Sequence, residues 1–171
     1  KAGHKVLLVD AGDCVQGAPI GKLSQGESVV RIMNAVKYDF LIPGNHEFDY
    51  GMDQFFKLAK MQKSKYHSCN FIDLRTNTLP LFPSKIINIG GKKLGFLGVT
   101  TPQTLNTSTP KFFQDDKGNF IYGFFEDETG EKLYAQVQKT IDQLRKDGAE
   151  YVFIVGHLGM VGAIPRWASP A

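Results

Sequence analysis

The sequence predicts an α/β domain with a mixed sheet system, and two observations support this fold class. Short apolar runs that end in glycine, aspartate or asparagine alternate with stretches of helical period, which is typical of α/β domains. Two β-rich runs joined by Gly90-Gly91 have the pattern of a β-hairpin, so part of the sheet system should be antiparallel. A chain of 171 residues is long enough for a single domain with its own core.

The first half of the chain is predicted to hold three strands and two helices. The strands are expected at Val6–Asp10, Phe40–Pro43 and Tyr66–Phe71, where short apolar runs are bounded by turn residues. A helix over Glu27–Lys37 follows from apolar side chains at i, i+3, i+4 and i+7, and a second helix is expected over Met52–Lys63.

The second half begins with the hairpin, whose strands are predicted at Ser84–Ile89 and Lys93–Thr100. The stretch Thr101–Glu128 has no clear period and is interpreted as a surface excursion, with room for a short strand at Phe120–Phe125.

The last two elements are a helix, which is the clearest helix in the chain, and a strand. A helix over Thr129–Lys146 has a continuous apolar stripe, acidic residues near its N-terminal end and Gly148 after its close. The final strand, Tyr151–Val155, runs directly into Gly156-His157.

Composition and charge exclude several classes of protein. Twenty basic and seventeen acidic side chains leave a net charge of +3, with no basic run longer than Lys92-Lys93. We therefore expect no nucleic-acid polymer as a partner. No apolar run approaches the roughly 20 residues that a transmembrane helix requires. Two cysteines, Cys14 and Cys69, are either ordinary buried thiols or a single disulfide.

Polar residues cluster directly after three of the predicted strands. These clusters are Asp10–Asp13, Gly44–Asp49 and Gly156–Gly159. In open α/β sheets the loops at the carboxyl ends of the strands converge on one site, so residues far apart in the sequence can meet there.

The side chains in these clusters suit metal-assisted hydrolysis of a phosphoester. Asp13 offers a carboxylate able to bridge two cations, Asn45 an amide oxygen and His157 an imidazole nitrogen. Such a donor set suits Mn, Fe, Zn or Ni, and a two-metal centre could activate water for attack on phosphorus. His46 could protonate the leaving oxygen, with Asp49 bonded to its other ring nitrogen.

These motifs resemble those of the calcineurin-like metallophosphoesterases. Gly12-Asp13 and Gly156-His157 match two short motifs, and Gly44–Gly51 (GNHEFDYG) resembles in particular the bacterial 5'-nucleotidases and 2',3'-cyclic-nucleotide phosphodiesterases. The resemblance implies a mixed β-sandwich flanked by helices, in four layers of the α-β-β-α type. It also implies two divalent metal ions (Mn, Zn, Fe, Ni or Mg), a nucleotide or another small phosphoester as substrate, and an extracytoplasmic location.

The resemblance also implies a role for each residue of the site. Asp13 would be the bridging metal ligand, and Asn45 and His157 would be ligands of the second metal. His46 and Asp49 would form the pair at the leaving group, and Asn45 and His46 would contact the substrate.

The sequence departs from the family pattern at both ends. The family carries an Asp-x-His motif ahead of the position of Asp13 and a His-x-His motif beyond that of His157, and neither motif is present in this sequence. We therefore expect residues 1–171 to be one partial catalytic domain that lacks the C-terminal nucleotide-binding domain and is poorly active alone. The alternative is a non-catalytic module that binds at most one metal ion or a phosphate.

Each residue of the site also has a structural interpretation. Asp13 could start a loop or cap a helix, and Asn45 and His46 could be turn residues. Asp49 could be the N-cap of the helix ahead of Met52, and His157 could be a buried core histidine. Glu47 is expected to serve the structure instead of the chemistry.

Overall fold

The computed structural model describes residues 3–159, which form seven strands and five α-helices. The strands are β1 (Val9–Asp10), β2 (Phe40–Leu41), β3 (Phe71–Asp73), β4 (Ser84–Ile89), β5 (Lys92–Thr100), β6 (Tyr122–Phe124) and β7 (Tyr151–His157). The helices are α1 (Pro19–Leu23), α2 (Glu27–Val36), α3 (Met52–Met61), α4 (Thr104–Thr107) and α5 (Glu131–Lys146). This alternation confirms the mixed α/β fold. Residues 1–2 and 160–171 lie outside the described residues.

The strands form three small sheets. β1 and β2 pair in parallel, β3 and β6 pair antiparallel, and β5 pairs antiparallel with β4 and parallel with β7. The hairpin between β4 and β5 is confirmed. Its two turn residues, Gly90 and Gly91, have φ values of +58° and +79°, as a primed turn requires.

The β1–β2 sheet packs face to face on the β4–β5–β7 sheet. Phe40 and Ile42 pack between the sheets with Phe96 of β5, and all three side chains are buried. The sheets come closest at Gly98, where a Cβ would lie 2.6 Å from Ile42 Cγ2 and closer still to the His67 carbonyl oxygen. A glycine is therefore required for this sheet-to-sheet contact.

Helices cover the outer faces of these two sheets, which completes the four layers. Leu41 points away from Phe40 and packs with residues of α2 and α3, among them Met33 and Phe55. Leu97 and Val99 lie on the other face of β5 from Phe96, in one cluster with the Leu133 and Leu144 side chains of α5. The order of layers is α2 and α3, β1–β2, β4–β5–β7, and α5.

The prediction of a surface excursion over Thr101–Glu128 is wrong in part. The short strand expected there is present as β6, but the stretch also contains α4 and a 3-10 turn at Pro110–Phe113. Phe113 and Phe124 are buried in the same cluster as Phe48, because this aromatic-rich stretch folds back over the turn that follows β2.

Two further predictions need correction. The third strand lies at β3 instead of Tyr66–Phe71, because the Ser68 hydroxyl accepts a hydrogen bond from the Phe71 N–H and holds a bend between them. Tyr66 keeps only an isolated parallel bridge to Leu41. Helix α1 was not predicted, because its five residues are too few to give a periodic signal.

Two other observations concern the described part of the chain. Cys14 and Cys69 are both free thiols, which excludes the disulfide alternative. Within residues 3–159, none of the helices combines the length and the apolar character needed to cross a bilayer.

His67 is a buried histidine with an unpaired ring nitrogen. Its side chain stacks on Phe40 with ring centroids 4.5 Å apart, and its Nδ1 has no hydrogen-bond partner among residues 3–159. Burial and the positive charge of Lys85 lower the pKa of His67 to about 4. The folded state therefore favours the neutral ring.

Acidification is expected to destabilise the fold through His67. The pKa is about 4 in the folded state and 6.5 in a free chain, so the unfolded state binds more protons between these values. The stability that the neutral His67 ring contributes is complete above about pH 6.5 and is lost as the pH falls toward 4. In urea titrations, the free energy of unfolding of wild type should fall by about 2 kcal/mol more than that of His67→Phe when the pH is lowered from about 7.5 to 5. His4→Gln should follow wild type, and equal pH slopes in wild type and His67→Phe would contradict the prediction.

Candidate functional site

The loops after β1 and β2 meet the end of β7, as the sequence predicts, at one edge of the sandwich. His157, the last residue of β7, places its Nε2 atom 3.1 Å from Asp13 Oδ2 and 3.2 Å from Asn45 Oδ1. Asp13 and Asn45 belong to the loops after β1 and β2. Three side chains separated by up to 144 positions therefore direct polar atoms to one point.

Two glycines allow the first two loops to touch. A Cβ on Gly12, whose φ is +95°, would lie 2.7 Å from Gly44 Cα. A Cβ on Gly44 would lie 2.9 Å from the Asp13 nitrogen. Any larger residue would push the loops apart, so the expected close turns at Gly12 and Gly44 are present as a direct backbone contact between the loops.

The Glu47 carboxylate joins the same two loops from inside. Its Oε2 accepts hydrogen bonds from the N–H groups of Asp13 at 2.7 Å and Gly44 at 2.6 Å, and its Oε1 accepts one from Cys14 at 2.8 Å. Glu47 is only 1% exposed, and burial raises its pKa, against the effect of the hydrogen bonds from Asp13 and Gly44. The structural role expected for Glu47 is confirmed.

Asp13 has an unusual backbone conformation, with a φ of +66° in the left-handed region. Its Oδ1 accepts the His46 backbone N–H at 2.9 Å, which leaves Oδ2 to face His157. Burial alone would raise the pKa of Asp13, but the hydrogen bonds from the His157 ring and the His46 N–H outweigh burial and lower it. The carboxylate is held charged in a strained position, which is a common feature of functional sites.

The His157 ring is fixed in one orientation. Its Nδ1–H donates to the Ala11 carbonyl oxygen at 2.8 Å, and the contact with Asp13 raises its pKa. In a neutral ring, Nε2 would present a lone pair to two oxygen atoms, Asp13 Oδ2 and Asn45 Oδ1. That arrangement is repulsive unless a proton or a cation lies between them.

The donor set therefore fits a cation. Ligands about 2.1 Å from a metal ion lie roughly 3 to 3.5 Å from one another, and both measured spacings fall in that range. The bond from Nδ1 to Ala11 is also the outer contact that metal-binding histidines use to fix their tautomer.

The number of side chains that could bind a metal ion is small, however. Within the described residues, no group of three or more His, Cys, Asp and Glu side chains is placed to hold a metal ion. Asp13 and His157 reach three donors only with the amide of Asn45. These residues suffice for one cation, and a second cation could share only Asp13 among them.

His46 and Asp49 form a second pair beside these donors. The His46 Nδ1–H donates to Asp49 Oδ2 at 2.6 Å, across a 3-10 turn at His46–Phe48, and this bond raises the pKa of His46. The expected contact between the two side chains is thus present. The His46 side chain is 40% exposed, and its Nε2 is left available to a ligand.

Ser108 is near the site and was not predicted from the sequence. Ser108 lies after α4, and its hydroxyl donates to Asp49 Oδ1 at 3.4 Å across 59 positions of the chain. No sequence pattern connects these two residues. Asp10, the first residue of the polar cluster after β1, accepts the Gly12 N–H, and burial together with the charge of Glu47 raises its pKa to about 6.

Proteins of known activity are similar to this chain over most of its length. A snake venom 5'-nucleotidase from Naja atra is 35% identical over 167 residues, which is 94% of this chain and 29% of the relative. A 2',3'-cyclic-nucleotide 2'-phosphodiesterase/3'-nucleotidase from Yersinia enterocolitica is 31% identical over 172 residues, 90% of this chain and 24% of that protein. The chain thus spans only about a quarter of the length of these relatives.

The solved structures and the family model agree with this similarity. A 5'-nucleotidase precursor from Thermus thermophilus has a TM-score of 0.74 and 28% identity, over 90% of this chain and 28% of that one. The model of the calcineurin-like phosphoesterases matches residues 1–171. Since that match covers the whole sequence, the chain belongs to the calcineurin-like phosphoesterase family.

Proposed function

We propose that the protein containing this chain is a metal-dependent phosphoester hydrolase of the 5'-nucleotidase type, which hydrolyses a nucleotide phosphate with water. The observation that carries the proposal is the convergence of Asp13, Asn45 and His157 on one point beside the His46–Asp49 pair. The activities named for the relatives support the substrate class.

Asp13, Asn45 and His157 would hold the metal. Asp13 would be the ligand shared by two cations, since its Oδ2 faces the His157 ring and its lowered pKa favours the charged carboxylate. When bound, divalent ions such as Mn, Zn, Fe, Ni or Mg would polarise the phosphoryl group and lower the pKa of water. The Ala11 carbonyl would keep the His157 Nε2 lone pair directed at the metal.

His46 would act as the acid at the leaving group. With Nδ1–H bonded to Asp49, a protonated ring carries its second proton on Nε2, the exposed side of the ring. That proton would pass to the leaving oxygen as its bond to phosphorus breaks, and Asp49 would stabilise the charged ring before transfer. Asn45 and His46 would also contact the phosphate through their side-chain N–H groups.

The proposal also covers the location of the protein and a second candidate function. Because curated relatives include snake venom proteins, we propose that the protein acts outside the cytoplasm. The small donor set in the described residues favours the second candidate, a non-catalytic module that binds one metal ion or a phosphate.

Hydrolysis of p-nitrophenyl phosphate separates the two candidates. Two proteins are assayed, each with added Mn²⁺ and with EDTA: residues 1–171 alone, and a longer protein that contains these residues. The longer protein should release nitrophenol only with metal, and residues 1–171 alone should be at least about tenfold slower, since each lost ligand weakens metal binding. A longer protein that binds no metal and is inert would refute the enzyme proposal.

A further inference from the structure

Residues 101–108 connect His157 with the His46–Asp49 pair. Thr101 follows β5, and its N–H donates to the His157 carbonyl oxygen at 2.9 Å. The buried Thr104 hydroxyl donates to the Thr101 carbonyl at 2.6 Å, and the Ser108 N–H donates to the Thr104 carbonyl at 3.0 Å. Each residue is thus placed by the previous one, starting from His157.

The segment ends at Asp49. The Ser108 hydroxyl donates to Asp49 Oδ1 at 3.4 Å, while Asp49 Oδ2 accepts the His46 ring at 2.6 Å. The residues after Ser108 fix its position over this turn, since the Phe113 ring packs on Phe48 with centroids 5.1 Å apart. Ser108 is therefore held from both sides.

We propose that Ser108 is a positioning residue for the His46–Asp49 pair, an inference that rests on the proposed function. A carboxylate with one partner can rotate about its Cβ–Cγ bond and exchange its oxygens. A donor on Oδ1 opposes that rotation and keeps Oδ2 directed at the His46 ring. The 3.4 Å separation is long for such a bond, so its contribution should be modest.

The choice of leaving group tests this role. Loss of acid assistance slows departure of a strongly basic alkoxide, such as the nucleoside oxygen of a 5'-nucleotide, more than departure of weakly basic p-nitrophenolate. Ser108→Ala should lower kcat for AMP by about three- to tenfold and change kcat for p-nitrophenyl phosphate less than twofold. The KM values and the metal content should not change.

Two further variants distinguish positioning from a general structural effect. Ser108→Thr keeps a hydroxyl and should restore most of kcat for AMP. Thr107→Ala removes a neighbouring hydroxyl that donates to the Gln103 carbonyl and does not contact Asp49, so it should behave as wild type. An equal loss of kcat for both substrates in Ser108→Ala, or no rescue by threonine, would overturn the proposal.

A measurement without metal tests the contact independently of activity. In NMR spectra of the metal-free protein, the His46 Nδ1–H proton bonded to Asp49 should appear downfield in wild type and Ser108→Thr, and should exchange faster in Ser108→Ala. An unchanged exchange rate in Ser108→Ala would also overturn the positioning role. If wild type hydrolyses neither substrate, the proposed function fails while this contact is still tested.

Discussion

Replacement of Glu47 by glutamine should lower the free energy of unfolding by about 3 kcal/mol or more. Glutamine has the same shape but replaces one acceptor oxygen by an NH₂ group. In one amide orientation, that group faces the Cys14 N–H, and in the other it faces the N–H groups of Asp13 and Gly44. The first orientation loses one charged hydrogen bond and the second loses two, and each loss leaves a backbone N–H without its partner.

Urea denaturation with a matched control measures this effect. Glu128→Gln makes the same chemical change at an exposed position and should alter the free energy of unfolding by less than about 0.5 kcal/mol. If Glu47→Gln is too unstable to purify, Glu47→Asp provides a milder test, since the shorter carboxylate cannot reach all three N–H groups at once. Equal free energies of unfolding for Glu47→Gln and Glu128→Gln would show that the hydrogen bonds from the two loops to Glu47 do not stabilise the fold.

His46→Asn and Asp13→Asn should separate the two roles at the site. His46→Asn should lower kcat by about 10²- to 10⁴-fold while metal content stays the same, because His46 transfers a proton and holds no metal. The variant keeps the backbone N–H that bonds to Asp13, so the metal ligands stay in place. Asp13→Asn should instead lose bound metal together with activity.

Elemental analysis of each purified variant, beside its steady-state kinetics, checks this pair of outcomes. His4→Asn serves as the control, since His4 is exposed near the start of the chain. Loss of metal in His46→Asn would refute its role as the acid. Full metal occupancy in Asp13→Asn would refute the role of Asp13 as a ligand.

Elements with a strong local signal could be predicted from the sequence. The hairpin is encoded by Gly90-Gly91, and α5 by its apolar stripe and acidic N-terminal end. The strand after Met61 could not be located, because the bend at Ser68 is held by a side-chain hydrogen bond that no apolar pattern reveals. The folding of Phe113 into the core could not be predicted either, because its contacts lie far away in the sequence.

The candidate site also has a part that could be predicted from the sequence and a part that could not. The meeting of Asp13, Asn45 and His157 is predictable because each lies at or just after the end of a strand, and the strand ends share one edge. The roles of these residues remain predictions. Ser108 is invisible to sequence reasoning, since its contact with Asp49 arises only from the path of the chain after β5.

The pairing of β5 with β7 makes the site an all-or-none assembly. Thr100 lies opposite His157, and the next N–H, that of Thr101, also bonds to His157. Successive side chains of a strand point to opposite faces, so a slip of one position would turn His157 away from Asp13 instead of displacing it slightly. Insertions that shift this register should therefore abolish the site outright, whereas insertions in the turn at Gly90 should be tolerated.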